Sequence, residues 1–345
     1  MEYDALLLVS FGGPEGPDDV LPFLRNVTRG RGIPDERLAQ VAEHYAHFGG
    51  VSPINEQNRA LLDAIGKEFA GRSLDLPLYW GNRNWQPYLV DAVRAMRDAG
   101  VRRALAFVTS AYASWSGCGQ YLDDLGRACA EVGPDAPEIH KIRHYFDHPG
   151  FIEPTVDAVR AALAQVADPQ ARLVFTAHSI PMTMAEVSGK ATNAVGFRYQ
   201  AQLREAARLV AQRIDPELEW DLVWQSRSGP PQVPWLDPDI NDHLRALRTH
   251  GVPAVVVSPI GFVSDHLEVR WDLDIEAART AAEIGLGYAR AATPGTDPRF
   301  VAMVAELVTE RLDPTVHRRH LGDLPTWDHC RPGCCAVPRS ARPAT

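Results

Sequence analysis

The chain has 345 residues, 45% hydrophobic and 23% charged, with a formal net charge of −9 at pH 7. That length exceeds one small core and predicts two domains of ordinary size, in a composition typical of soluble globular proteins. The acidic balance excludes a broad nucleic-acid footprint, which needs clustered Lys and Arg. No apolar run reaches the ~20 residues that span a bilayer. The opening "MEYDALLLVSFGG" has no basic leader and enters a strand directly, so no secretory signal and a cytoplasmic protein are expected.

In chain order, "DALLLVSF" predicts a buried strand. Its exit, "FGGPEGP", matches neither the dinucleotide fingerprint nor a P-loop, so nucleotide binding is not expected. "VTRGRG" presents Arg29 and Arg31, whose planar forks suit carboxylates or phosphates but equally serve as plain surface charge. "HFGGVSPINEQN" sets a Gly pair before Ser52, in a loop able to approach a ligand closely. A helical pattern ("RALLDAIGKEFA"), a strand ("LPLYWGN"), a helix ("YLVDAVRAMRDAG") and a strand ("RALAFVTSA") follow. Beyond "YFDHPGF" the alternation resumes: "TVDAVRAALAQVA" and "YQAQLREAARLVAQRI" as helices, "RLVFTAHS", "DLVWQS" and "AVVVSPIGF" as strands.

Alternating strand and helix predicts the α/β class, with two parallel sheets flanked by helices. Expected boundaries are 1–148 and 149–312, the last helix being able to pack back on the first domain, and then a Cys-containing tail, 313–345. That tail is rich in Pro and Arg and is ordered only if something pins it. Open α/β sheets bind ligands beyond the carboxyl ends of their strands, where most of the polar motifs fall.

His178 ends the strand "RLVFTAHS". It is either satisfied by neighbouring backbone or serves as a base or metal ligand, since imidazole titrates near neutrality and binds first-row metals. "SDHLEVRWDLDIE" follows another strand, and helical continuation puts Glu268, Asp272 and Glu276 at i, i+4 and i+8 on one side. Such a stripe is usually a solvated face. Against that stands the density of Asp265, His266 and Glu268 at its start, which suits a path for a hard divalent cation that oxygen ligands hold without trapping. Trp235, in a Gly-Pro-rich loop, either covers a neighbour or stacks on a flat ligand. Five cysteines in a cytosolic chain argue against a disulfide framework, and "HCRPGCC" points to metal or cluster ligation.

Taken together, "LLLVSFGGPEGP", "RNVTRGRG", "HFGGVSPINEQN", "GNRNWQPY", "TSAYASWSGCGQY", "YFDHPGF", "FTAHSIP", "WQSRSGPPQVPWLDPD" and "SPIGFVSDHLEVRWDLDIE" resemble, over roughly residues 3–310, the ferrochelatase family. The likeness is to its coproporphyrin-using bacterial type, in the actinobacterial branch. The resemblance implies two Rossmann-like domains with the active-site cleft between them, and insertion of Fe²⁺ into coproporphyrin III. Protoporphyrin IX or another tetrapyrrole or metal is the alternative, and a non-catalytic haem or Fe–S carrier a further one. It also implies that His178 and Glu268 face each other across the porphyrin as iron-site residues, with Asp272 and Glu276 as the metal path. Ser52, Tyr121, Trp235, Arg29 and Arg31 then contact the porphyrin. Phe11 lies in the first loop where some relatives carry an iron-ligating Tyr, and it has no ligating atom. Some members hold a [2Fe–2S] cluster, which maps onto Cys118, Cys330, Cys334 and Cys335. Cys129 could replace one of the adjacent pair, and zinc is an alternative occupant. The implied partners are coproporphyrin III, ferrous iron and a downstream haem-pathway protein.

Overall fold

A computed structural model describes residues 3–30, 32–193, 196–229, 232–330 and 333–336. Two four-stranded parallel sheets organise the chain. The first has the order β2-β1-β3-β4, from β1 (Ala5–Ser10), β2 (Leu78–Asn82), β3 (Arg103–Val108) and β4 (Glu138–Lys141). The second repeats that order as β6-β5-β7-β8, from β5 (Arg172–His178), β6 (Trp220–Gln225), β7 (Ala254–Ser258) and β8 (Gly287–Arg290).

The period-two alternation of strand side chains builds the layers. In β1 and β3, Leu6, Leu8 and Phe107 face one core, while Leu7, Val9, Ala104 and Ala106 face another. In the second sheet, Leu173, Phe175 and Val256 join the first of these cores, and Val174, Val255 and Val257 form a third. One continuous core therefore runs through both sheets. The helix Pro298–Leu312 lies in it, packed against Pro149–Val166 and against Ile54–Gly71 of the first half. The edge strands β4 (EIHK) and β8 (GYAR) have no apolar run to announce them, being only four residues long with at most two apolar side chains each.

This topology positions the site. In each sheet the chain runs to one side of its first strand and then crosses to the other. The crevice at that reversal lies between β1 and β3 in the first sheet and between β5 and β7 in the second. The loops that leave these four strands are "FGGPEGP", "TSAYASW", "SIP" and "PIGFVSDH". Two buried contacts fasten the halves near the crevices: Tyr112 donates from its hydroxyl to the Ile260 carbonyl at 2.8 Å, and the Ala113 amide donates to Gln202 Oε1 at 2.7 Å. Among the described residues, no helix is long and apolar enough to cross a membrane.

A buried ion pair ties the helix Pro298–Leu312 to the chain just beyond β4. Arg143 forks onto Glu310 at 2.8 and 3.0 Å, and its Nη2 also donates to the Arg319 carbonyl at 2.8 Å. Glu310→Ala strands that guanidinium, and should cost about 3–5 kcal/mol in urea unfolding. A loss below about 1 kcal/mol would mean that Arg143 reaches water instead.

Candidate active site

His178 is the last residue of β5, and its ring Nδ1 meets the carbonyl of Ser179. A carbonyl can only accept, so Nδ1 carries a hydrogen, and in the neutral ring Nε2 keeps its lone pair. Glu268 comes from the short helix Leu267–Val269, after the long loop that leaves β7. Its Oε2 stands 3.9 Å from His178 Nε2, with both side chains open to solvent, 54% and 34% exposed. Tyr199 steadies the histidine backbone by donating to its carbonyl at 2.9 Å. His266 caps the Glu268 helix, accepting from the Val269 amide at 3.4 Å; burial pushes its pKa down, against the pull of Glu268.

The acidic row lies on a different helix from the one the spacing predicts. After Val269 the backbone winds as a π-helix, Arg270–Ala277, before returning to α geometry at Ala278–Glu283. Bonds from i to i+5 widen the turn, and such turns concentrate at functional sites. Asp272 is clasped by Ser226, whose hydroxyl donates to Oδ2, and by Gln225 Nε2 at 3.2 Å. Burial, with Glu268 and Glu276 as like-charged neighbours, pushes its pKa up to about 7, against the two donors. Asp265 is drawn elsewhere, onto Arg290 at 2.9 and 3.1 Å.

Residues of the helix Asp35–His47 face this row, and no sequence pattern marks them. His44 stacks on Trp271 with centroids 3.9 Å apart and planes 9° from parallel, and Glu276 lies close enough to draw its pKa up against burial. Tyr45 is buried, and its pKa is raised by burial and by nearby Glu268.

The other predicted ligand contacts are divided between the two halves. Phe11 is 37% exposed, edge-on to Phe23. Ser52 is buried against the first loop, where a Cβ on Gly13 would meet Ser52 Cβ at 2.7 Å. Tyr121 is 5% exposed, inside the first half's outer core, with Arg83 over its ring at 4.5 Å. Arg83 also reaches over Phe11 at 5.9 Å and is anchored to Asp124 at 2.5 Å, so it connects the two aromatic rings. Arg29 is exposed and Arg31 lies outside the described residues. Trp235 belongs to the second half, where its backbone bridges to Pro181 and its indole Nε1 is buried without a partner.

Four of the five cysteines converge. Cys118 sits on a π-helical turn, Trp115–Gly119, and packs with Cys334, Cys335 and partly buried Cys330. Hydrogen bonds from Cys330 and Cys335 draw the Cys118 thiol well below its ordinary pKa, while the same contacts and Cys334 push Cys330 and Cys335 up. Among the described residues, no group of three or more His, Cys, Asp or Glu is spread to hold a metal as it stands. The sulfurs are instead gathered thiol against thiol. Four sulfurs, three of them buried, are the donor type that an iron–sulfur cluster or zinc takes. Cys129 stands apart, its thiol directed to the Pro137 carbonyl at 3.7 Å.

Comparison with known proteins converges on one family. A family model described as Ferrochelatase matches residues 3–312. The chain is 55% identical to a coproporphyrin III ferrochelatase of Streptomyces griseus, over 99% of this chain and 95% of that one. It is 54% identical to the protein of the same name in Mycolicibacterium smegmatis, over 97% and 100%. Among solved structures, SirB from Bacillus subtilis with Fe3+ aligns with a TM-score of 0.54 at 13% identity, over 90% of this chain and 98% of that one. At that identity the likeness concerns the fold alone.

The raised pKa of Asp272 makes stability depend on pH. Between the ordinary value of 3.8 and about 7, the folded chain keeps a proton that the unfolded chain has released. Stability therefore falls as pH rises through that window and levels off above it. In metal-free buffer, Asp272→Asn should flatten the decline in Tm relative to the unsubstituted chain. Parallel Tm curves from pH 4 to 8 would show that Asp272 ionises normally.

Proposed function

The chain belongs to the ferrochelatase family, and from that premise we propose that it inserts Fe²⁺ into coproporphyrin III, giving Fe-coproporphyrin III for haem synthesis in the cytoplasm. The observation that carries this reading is the 3.9 Å approach of His178 Nε2 to Glu268 Oε2 at a strand-end crevice. Metal insertion requires a free-base macrocycle to lose two pyrrole protons and to bend, so that nitrogen lone pairs point at the incoming ion. An imidazole with a free Nε2 lone pair and an exposed carboxylate provide a proton acceptor and an oxygen donor side by side. Binding energy from the rest of the cleft is then spent on bending the ring.

Glu276 and Asp272 hand the ion toward Glu268 in this reading, and the Ser226 and Gln225 donors keep Asp272 fixed while it does so. Phe11 offers the ring an apolar face. Because Phe11 has no ligating atom, the product leaves without a ligand from the first loop and passes to a downstream haem-pathway protein. Arg29 supplies a cation for a propionate. Cys118, Cys330, Cys334 and Cys335 hold a [2Fe–2S] cluster, which when bound supplies a one-electron centre and ties the tail to the first half.

Three measurements test this. His178→Ala and Glu268→Gln should each slow metal insertion by roughly 10²–10⁴-fold while retaining porphyrin binding. Coproporphyrin III should be metallated faster than protoporphyrin IX, and the reverse order would overturn the substrate assignment. Cys118→Ser should purify without acid-labile sulfide and melt earlier; unchanged iron, sulfide and Tm would remove Cys118 from the ligand set.

A further inference from the structure

Metal transfer along the acidic row employs Glu268, Asp272 and Glu276, with Ser226 and Gln225 holding Asp272. Two residues of β8 hold the same segment, and metal insertion as described gives them no task. In a strand, positions two apart share a face. Tyr288 and Arg290 therefore point to one side of the second sheet, and Ala289 to the other, where it joins the core shared with the first sheet. Tyr288 packs with Val269, Leu273 and Ala277, the buried stripe of the Glu268 helix and of the π-helix after it.

Arg290 grips this segment twice. Its Nη1 and Nη2 donate to the Asp265 carboxylate at 3.1 and 2.9 Å, and its Nε and Nη2 to the Asp274 carboxylate at 2.5 and 3.2 Å. Thr293 adds a further hold, its hydroxyl donating to Asp265 Oδ1 at 3.2 Å. Asp265 precedes the Glu268 helix, and Asp274 lies inside the π-helix, between Asp272 and Glu276. One guanidinium thus brackets both Glu268 and Asp272. The Tyr288 hydroxyl donates to the Leu273 carbonyl at 2.8 Å. A π-turn bonds i to i+5. A carbonyl and a carboxylate held from outside at 273 and 274 therefore fix the winding there, and with it the directions of Asp272 and Glu276.

The clamp is charge-assisted and shielded, the Arg290 and Asp265 side chains being 17% and 21% exposed. Without its cation, Asp265 and Asp274 would be like charges sharing one partly buried place. The loop and the π-helix would then part, not merely loosen.

We propose that Arg290 and Tyr288 are positioning residues for metal transfer, holding Glu268 opposite His178 and keeping Asp272 and Glu276 in line behind it. This role rests on the metal-insertion reading above, and each residue acts through the segment it holds. A carboxylate row out of alignment captures the ion less well, while the porphyrin still meets the same cleft walls. The signature is a split between the two substrates.

The test uses full-length protein, assayed anaerobically with Fe²⁺ and coproporphyrin III varied separately, with porphyrin binding followed by fluorescence quenching. Arg290→Met should lower kcat/KM for Fe²⁺ about tenfold through a higher metal KM, with porphyrin affinity kept within about twofold. Arg290→Lys, which keeps the charge but loses the fork, should fall between. Tyr288→Phe should raise the metal KM about threefold. If Arg290→Met does not fold, Tyr288→Phe, which removes one oxygen atom, decides the matter. Folded variants whose metal KM is unchanged, or whose two KM values rise together, would overturn the positioning role and leave metal insertion standing. An unsubstituted chain that metallates neither coproporphyrin III nor protoporphyrin IX would overturn the metal-insertion reading, and the positioning role with it.

Discussion

An imidazole and a carboxylate ninety positions apart in sequence meet because two parallel strands end side by side and the loop after one folds over the end of the other. Gly261, in the loop after β7, donates its amide to the Thr176 carbonyl at 3.0 Å, and a Cβ there would come within 2.7 Å of the Ala177 backbone. Only a glycine lets the loop lie this close to β5. From that crossing the chain proceeds through Asp265, locked to Arg290, to the Glu268 helix. Displacing the loop by a side chain's width would carry Glu268 away from His178 and separate donor from acceptor.

The same crossing explains how a row of like charges is tolerated. Carboxylates in succession repel one another and weaken an ordinary helix. Here the helix is π-wound, and its residues are held from outside: Ser226 and Gln225 clasp Asp272, and His44 stacks on Trp271. Gln225 ends β6, and Ser226 follows it with a φ of +61°, a left-handed conformation that costs energy for a residue with a side chain. That strain aims the hydroxyl at Asp272. Neighbouring elements therefore bear the cost of gathering negative charge where a cation is to pass.

Much of this was legible beforehand, and the misses have physical causes. Runs such as "ALLLVS" and "AVVVS" announce themselves because they are buried on both faces. β4 and β8 do not, since each is four residues long and carries too few apolar side chains to show a pattern. Neither π-helix leaves a trace in residue spacing, because the periodicity of apolar positions reports α or β geometry and little else. His178, Glu268 and the four cysteines were visible as chemistry. Arg83 and His44 were not, for their importance lies in what they approach: an aromatic pair and an indole. Asp265 shows the converse, an acid that looks like part of a metal path and is occupied by Arg290.

The tail draws these points together. It contributes little apolar surface, so hydrophobic burial alone does not hold it in place. It is fixed by backbone groups and sulfur. The Leu321 amide donates to the Asp147 carbonyl, the Gly189 amide donates to the Cys334 carbonyl at 2.7 Å, and Cys335 bridges to Ser188. Ser188 and Gly189 follow the helix Met182–Val187, which begins four residues after His178, whereas Cys118 lies three residues before Tyr121 in the first half. Ser116, beside Cys118, reaches Met184 in that same helix at 3.7 Å. The sulfur nest is thus a junction between both walls of the crevice. The packing that gathers the four cysteines there also fixes the spacing between the two walls, and so where an imidazole on one stands relative to the other.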